Sequence, residues 1–320
     1  MPISRGRNKM FVKTSTEING KCAIAVSGLG AYSLADTLEC GQFFRYERLG
    51  EGEYKYIVTH RDKVFTVEQR RRGELIFYGI SEEDFDAVAV PFFALDSSLS
   101  EIKEDILSHT DSEWLRRAAD SAEGIAILRQ EPWEALLSFI VSQNNNIPRI
   151  RKIIRSISAE YGVNISMQNE LPVCPISTEG APPCEEKCKS CGICYTFPTP
   201  KDIAARPEGL LPSHPGFRYK YMCDAAGAVL EGRVNLREIS ERGDFEYTLT
   251  ALKQIKGVGD KVASCVALFG FNHLDAFPVD VWMRRALDAY FPTDFDPDTL
   301  GKYRGVAQQY IFHYIRNLEN

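Results

Sequence analysis

The chain has 320 residues, enough for two or three compact units with hydrophobic cores. Its apolar fraction of 44% and charged fraction of 26% are those of an ordinary globular protein, and no apolar run is long enough to span a membrane. The net charge of −6, from 38 basic and 44 acidic side chains, gives no support to a nucleic-acid partner, but a local basic face matters more than the sum.

Residues 1–19 read as a polar, loosely held N-terminus. Its opening MPISRGRNKM is basic and lacks the apolar stretch of a secretory signal, so a cytoplasmic protein is expected, nucleoid-associated if the source is bacterial. Residues 20–100 read as an antiparallel β-rich domain. Its short runs CAIAV (22–26), YKYIVTH (54–60), KVFTVEQ (63–69) and ELIFYG (74–79) are broken by turns, and Gly73 marks a hairpin between the last two. Residues 101–320 read as a helical domain. Helices are expected over Ser112–Ala126, Pro132–Gln143, Ile147–Tyr161, Phe217–Glu231, Phe245–Ile255, Lys261–Phe271, Val279–Tyr290 and Thr299–Arg316. Residues 172–200, rich in Pro and Cys, interrupt the helices as an insertion. The fold class is therefore α+β, a small β domain packed on a helical one.

Five of the nine cysteines fall between Cys174 and Cys194. Cys184, Cys188, Cys191 and Cys194 have the short spacing of a metal site. A structural zinc is the expectation, with an iron–sulfur cluster as the alternative.

The most informative stretch is LKQIKGVGDKVASCVALFGFNHLDAFPVDVWMRR, Leu252–Arg285. A helix ends near Ile255, Gly257 and Gly259 permit a tight reversal around Val258, and a second helix opens near Asp260. The outward backbone N–H groups of such a hairpin can hold a DNA phosphate. Lys261, Cys265 and Phe269 lie near one face of the second helix. A lysine among apolar and soft groups loses hydration, which favours a neutral, nucleophilic amine. Asp280, after Phe277-Pro278-Val279, suits the N-cap of the next helix. Taken singly, a Gly-x-Gly turn is common, such a lysine is more often solvated, and such an aspartate is more often only a cap. The combination of GVGDKVASC with FPVDV at fixed distance is what points to chemistry.

That combination resembles the helix–hairpin–helix Gly/Pro-Asp motif of base-excision glycosylases, and more narrowly the 8-oxoguanine DNA glycosylase/AP lyase family. The resemblance runs from about residue 36 to 316, apart from the insertion, and implies the helix–hairpin–helix glycosylase fold. It implies Lys261 as nucleophile and Asp280 as the essential carboxylate. Trp282 departs from the family, where a histidine often follows this aspartate. Ser142-Gln143-Asn144-Asn145-Asn146-Ile147-Pro148-Arg149 is similar to a family segment in which Asn144 fills the gap left by an extruded base and Arg149 meets the widowed cytosine. In Gly216-Phe217-Arg218, Phe217 is the implied wedge and Arg218 a second contact to that cytosine. In Gly41-Gln42-Phe43-Phe44-Arg45, the Gly41 carbonyl is the implied acceptor for N7–H of 8-oxoguanine, a hydrogen that guanine lacks. In Ala307-Gln308-Gln309-Tyr310-Ile311-Phe312, Gln308 is implied to read the Watson–Crick edge of the lesion. Phe312 and Cys265 are implied to cover its two faces. Read without the resemblance, Phe312 is a core residue and the asparagines a capped helix end.

The expected activity is a bifunctional glycosylase/lyase that removes 8-oxoguanine opposite cytosine from damaged duplex DNA. It would act as a monomer, through a lysine Schiff base and without a catalytic cofactor. Competing readings are the same fold acting on another damaged base, a non-catalytic DNA-binding protein, and an iron–sulfur redox protein.

Overall fold

A computed structural model describes residues 11–18, 21–50, 54–165 and 192–318. The N-terminal part is one six-stranded antiparallel sheet in the order β1-β2-β6-β5-β4-β3. Its strands are β1 (Val12–Ile18), β2 (Lys21–Ser27), β3 (Tyr46–Arg48), β4 (Lys55–His60), β5 (Lys63–Arg71) and β6 (Glu74–Tyr78). β5 turns into β6 through Gly73, at φ 75°; a Cβ there would stand 2.4 Å from the Gly30 carbonyl oxygen, so only glycine fits.

Over Val12–Ile18, β1 replaces the expected loosely held N-terminus with a strand; residues 1–10 and 19 lie outside the described residues. VKTSTEI lacks the apolar alternation of a half-buried strand, and most of its side chains are exposed. Its register with β2 is that of a full antiparallel ladder, Val12 opposite Ser27 through Ile18 opposite Lys21. An edge strand is held by its backbone, so polarity alone does not argue against it.

Alternation sends the β4 and β5 side chains to two faces. Tyr56, Val58, Phe65 and Val67 enter a core with Phe77, Phe85, Phe92 and Phe93. Ile57 and Val64 face the other way and pack with Ile165, Ile193, Cys194 and Tyr195. Both faces are covered, which is why β4 is buried without a break from Tyr56 to His60.

The second face is covered by the stem of the insertion. Asn164 and Tyr195 form an antiparallel bridge, and the Ile165 amide donates to the Cys194 carbonyl at 2.9 Å. The Thr59 hydroxyl donates to the Ile193 carbonyl and the Arg45 guanidinium to the Tyr195 carbonyl. Cys184, Cys188 and Cys191 lie outside the described residues; Cys194 is buried in this stem.

The helices are α1 (Leu34–Glu39), α2 (Leu99–Ser108), α3 (Glu113–Ser121), α4 (Pro132–Ser142), α5 (Ile147–Tyr161) and α6 (Pro200–Ala205). They continue as α7 (Tyr219–Leu230), α8 (Leu236–Arg242), α9 (Phe245–Leu252), α10 (Asp260–Gly270), α11 (Val281–Tyr290) and α12 (Arg304–Leu318). α1, α2, α6 and α8 were not expected; they are short, mixed in character, and each is started by a capping Ser, Thr or Asn side chain. The expected Thr299 start of the last helix moves to Arg304, because Gly301 adopts φ 74°, ψ −158° and breaks the helical path. None of the helices of the described residues is long and apolar enough to cross a membrane.

α4 is the axis of the helical part. From Glu134 to Val141 every residue is buried, as its all-round apolar sequence requires. α10 lies along it, with the Phe139 and Phe269 rings stacked at 5.2 Å and Gly270 against Ala135.

The one charge within that buried run, Glu134, pairs with Arg45 at 3.0 Å; their side chains are 5% and 1% exposed. This ion pair bolts the sheet and the insertion stem to α4. Burial pushes the Glu134 carboxyl up, against the pull of the Arg45 charge.

Arg45→Ala is expected to cost about 3–5 kcal/mol in urea denaturation, because it strands a buried carboxylate; a loss below 1 kcal/mol would contradict this account. His60 is buried and stacked on Phe92 at 4.1 Å, and burial pulls its pKa down to about 3. Its unfolded form therefore binds a proton between about pH 6.5 and 3 while the folded form does not. Stability should fall through that window as pH falls, by at most about 1.4 kcal/mol per pH unit from this group. His60→Phe should flatten that part of the denaturation profile.

Candidate active site

The site is assembled on the hairpin between α9 and α10. Val258 is its buried anchor, 6% exposed, with its amide donating to the Ile255 carbonyl at 3.0 Å. Gly257 has φ 84°, and a Cβ there would lie 2.3 Å from the Tyr221 ring. Left-handed backbone and the ring beneath it both demand glycine. Gly259 is the N-cap of α10, has open space around it, and brings no side chain to the N–H groups of the first turn. Those donors are left for an anion.

Lys261, in the first turn of α10, and Cys265, one turn further on, line a cavity of about 330 Å³. The Lys261 amine donates to the Ser142 hydroxyl at 3.2 Å and lies 5.5 Å from the centre of the Phe139 ring. Ser142 is the last residue of α4, so the lysine is held by the packing of α10 on α4. Burial pushes the Cys265 thiol up, and the Lys261 charge opposes that while the Asp280 charge adds to it. Asp280 shares the cavity wall. It is also the N-cap of α11, accepting from the Met283 amide at 2.9 Å. The amine therefore sits in a cleft with the carboxylate, not in open solvent.

The opposite walls come from the sheet side and from α12. Gly41 has φ 91°, and its Cα faces the Ile147 side chain across the cavity edge. Its neighbour Gln42 is fully buried and clamps this turn. The Gln42 amide nitrogen donates to the Thr37 and Ala126 carbonyls, both at 2.8 Å, and its oxygen accepts from the Leu128 amide at 2.8 Å. From α12 come Gln308 and Phe312, one turn apart. The cavity thus gathers Lys261, Asp280, Gly41, Cys265, Gln308 and Phe312 from segments up to 271 residues apart in sequence.

The remaining residues expected to meet DNA are not in the cavity lining but form two neighbouring groups. Asn144 is exposed in the left-handed region, φ 46°, a conformation asparagine tolerates. Arg149 is exposed at the start of α5, which Asn146 caps. Phe217 is 49% exposed, with the Arg218 guanidinium 4.5 Å above its ring and Tyr221 edge-on at 6.0 Å. Tyr221 in turn lies under Gly257, which links this group to the hairpin.

Arg218 differs from its expected placement. It is 3% exposed, and its donors go to the Gln143 and Asn144 carbonyls, the latter at 2.9 Å, and to the Pro215 carbonyl at 3.2 Å. It holds the strained 143–144 turn. Burial first, then the charge of Arg149, draws its pKa down, so the two cations converge on one place.

Several lining residues were not singled out from sequence: Ser142 as the partner of the amine, Phe139, Cys40, and Gln309. Ser142 opens the asparagine-rich segment and carries a signal only once α10 is known to cross it. Trp282 also lines the cavity, with the Arg285 guanidinium 5.1 Å from its ring. Among the described residues no group of three or more His, Cys, Asp or Glu side chains is placed to hold a metal.

Residues 27–136 match the family model for the N-terminal domain of 8-oxoguanine DNA glycosylase. The structure superposes on the Clostridium acetobutylicum 8-oxoguanine glycosylase/lyase, solved with double-stranded DNA containing cytosine opposite 8-oxoG, with a TM-score of 0.80. Identity is 31%, over 98% of this chain and all of that one. MBOgg1, solved with a low-affinity DNA ligand, gives a TM-score of 0.79 at 32% identity, over 97% of this chain and all of that one. The Saccharomyces cerevisiae N-glycosylase/DNA lyase is 29% identical over 288 residues, 83% of this chain and 69% of its own length. A full-length structural match above 30% identity, together with a lysine and an aspartate on one cavity wall behind a glycine hairpin, makes this chain a member of the 8-oxoguanine DNA glycosylase family.

Proposed function

We propose that this chain is a bifunctional DNA glycosylase/AP lyase that excises 8-oxoguanine from duplex DNA, opposite cytosine. The observation that carries the reading is the sharing of one cavity by the Lys261 amine, the Asp280 carboxylate and the Gly41 turn. A nucleophile, a charge to stabilise an oxocarbenium-like sugar cation, and a backbone acceptor for N7–H are the three things this reaction needs.

The everted nucleotide enters the cavity with its base toward Gly41, Gln308 and Phe312 and its sugar toward Lys261. Eversion costs a few kcal/mol, which the cavity contacts and the Asn144 and Phe217 wedges offset. As the C1′–N9 bond breaks, the departing base takes that electron pair and a proton, and positive charge grows on the sugar. The Asp280 carboxylate stabilises it. The Lys261 amine forms the new C1′–N bond and gives up a proton, and the sugar ring opens to the Schiff base. Loss of a C2′ proton then expels the 3′ phosphate and nicks the strand. Gly257, Gly259 and the open N-terminus of α10 hold a backbone phosphate, while Arg149 faces the widowed cytosine and Arg218 holds the turn that carries Asn144.

In the insertion, Cys184, Cys188, Cys191 and Cys194 are assigned a structural zinc. The support is their spacing and the chemistry of four thiols, with Cys194 anchored on the sheet. Metal analysis of the purified protein and of Cys184→Ser, together with the visible absorbance an iron–sulfur cluster would give, checks this assignment.

Borohydride should trap the protein covalently on a duplex containing 8-oxoguanine opposite cytosine. Lys261→Gln should abolish trapping and leave DNA affinity within a few-fold. If Lys261→Gln still traps, the nucleophile lies elsewhere. Asp280→Asn keeps a capping side chain and so should leave the melting temperature nearly unchanged, while single-turnover excision falls by about 10²–10³-fold. Gly257→Ala drives a methyl into Tyr221 and should weaken binding to any duplex, lesion or not, by about tenfold or more, read by fluorescence anisotropy.

A further inference from the structure

Within α12 the stretch Gly305–Ile311 is buried throughout, and it contains two adjacent glutamines. Gln308 and Gln309 are 3% and 4% exposed, and both line the cavity. Gln309 Nε2 donates to Gln308 Oε1 at 2.7 Å, and Gln309 Oε1 has no hydrogen-bond partner. Two buried side-chain amides side by side are costly unless they do something for each other or for a ligand.

We propose that Gln309 is a positioning residue that fixes the amide orientation of Gln308 and thereby sets which base edge the cavity accepts. This rests on the reading that the cavity receives an everted oxidised purine. A side-chain amide carries one acceptor and one donor end, and rotation by half a turn exchanges them. A guanine-type Watson–Crick edge offers N1–H as donor and O6 as acceptor; an adenine-type edge offers N1 as acceptor and the 6-amino group as donor. An unconstrained Gln308 reads either edge by turning over. The bond from Gln309 removes that freedom. Gln308 Oε1 has two lone pairs: one takes the Gln309 donor and the other is left for N1–H. Gln308 Nε2 is left for O6.

Turning the pair over together is resisted by the place of Gln309 Oε1. That atom is buried and unpartnered, and a rotated Gln309 would put an NH2 group there. A buried amino group without an acceptor leaves two donors unmet, whereas the present arrangement leaves one carbonyl-type acceptor unmet. The asymmetry holds Gln309, and Gln309 holds Gln308. The 8-oxo group alters the imidazole edge read at Gly41; the Gln308–Gln309 pair reads the opposite edge, so the two contacts select independently for oxidation and for guanine.

The test compares single-turnover excision of 8-oxoguanine and of 8-oxoadenine, each opposite cytosine, with borohydride trapping on an abasic duplex, which has no base to read. Wild type, Gln309→Met and Gln309→Glu are measured. Met keeps length and removes the donor. Glu only accepts, so it draws Gln308 Nε2 toward itself and turns Gln308 over. The expected result is a fall in the 8-oxoguanine to 8-oxoadenine rate ratio of about three- to tenfold for Gln309→Met, the worth of one hydrogen bond. Gln309→Glu should fall at least as far, with abasic trapping by both variants within twofold of wild type. An unchanged ratio in a variant that still traps overturns the proposal, and so does an equal loss on both lesions and on the abasic duplex, which would mark a structural role only. If one variant does not fold, the other carries the comparison. A wild-type protein that neither traps on abasic DNA nor excises 8-oxoguanine would instead sink the glycosylase reading on which this one stands.

Discussion

The packing of α10 along α4 is the contact on which the site depends. Phe269 stacks on Phe139, and Gly270 lets the helix close on Ala135. That closeness brings the first turn of α10 to the last turn of α4, so the Lys261 amine meets the Ser142 hydroxyl over an aromatic ring. A lysine on a solvated helix start is an ordinary surface group. Here the same residue is carried into a cleft because the helix that bears it is anchored by apolar contacts further along. The hairpin before it adds Val258 as a second anchor, so the position of the amine is set from both ends of the turn.

Two structural devices hold the other walls. The Arg45–Glu134 ion pair fastens the sheet to α4, and Arg45 also reaches the Tyr195 carbonyl in the stem of the insertion. The GQFFR segment therefore serves packing and site at once: Arg45 ties down the far end, Gln42 clamps the turn, and Gly41 is left facing the cavity. On the far side, α11 begins at Asp280, whose carboxylate caps its own helix. Cap and charge come from the same side chain, which fixes the carboxylate without a separate support. Outside the cavity, Arg218 spends its donors on the 143–144 turn. Those bonds fix the backbone of Asn144 and the arginine to each other.

Much of this was legible from the amino-acid order, for reasons that differ by element. Four of the six strands, β2, β4, β5 and β6, could be read because their residues are β-branched, aromatic and bounded by turns; β5 and β6 even disclosed their hairpin through Gly73. α5 could be read to its ends because Asn146 caps it and Gly162 follows it. β1 was hidden because an exposed edge is held by backbone bonds that leave no side-chain pattern. α2 and α8 were hidden because a short helix with one buried stripe differs little from a loop until something covers that stripe. Gly301, a residue in left-handed conformation, cut the last helix at a point that periodicity alone runs through.

For the site, the local order of residues determined which groups were available: a lysine behind a glycine hairpin, an aspartate at a cap, a glycine in a turn, and a glutamine one helical turn before a phenylalanine. These are properties of spacing within one element, which a sequence carries in full. Tertiary structure alone decided that they share one cavity, that Ser142 is the partner of the amine, that Arg218 is committed to backbone carbonyls, and that Gln309 backs Gln308. Each of those is a meeting between distant elements, or an orientation that burial imposes on an otherwise symmetric side chain. Such meetings arise when cores exclude water and leave few ways to pack, and no periodicity along the chain encodes them.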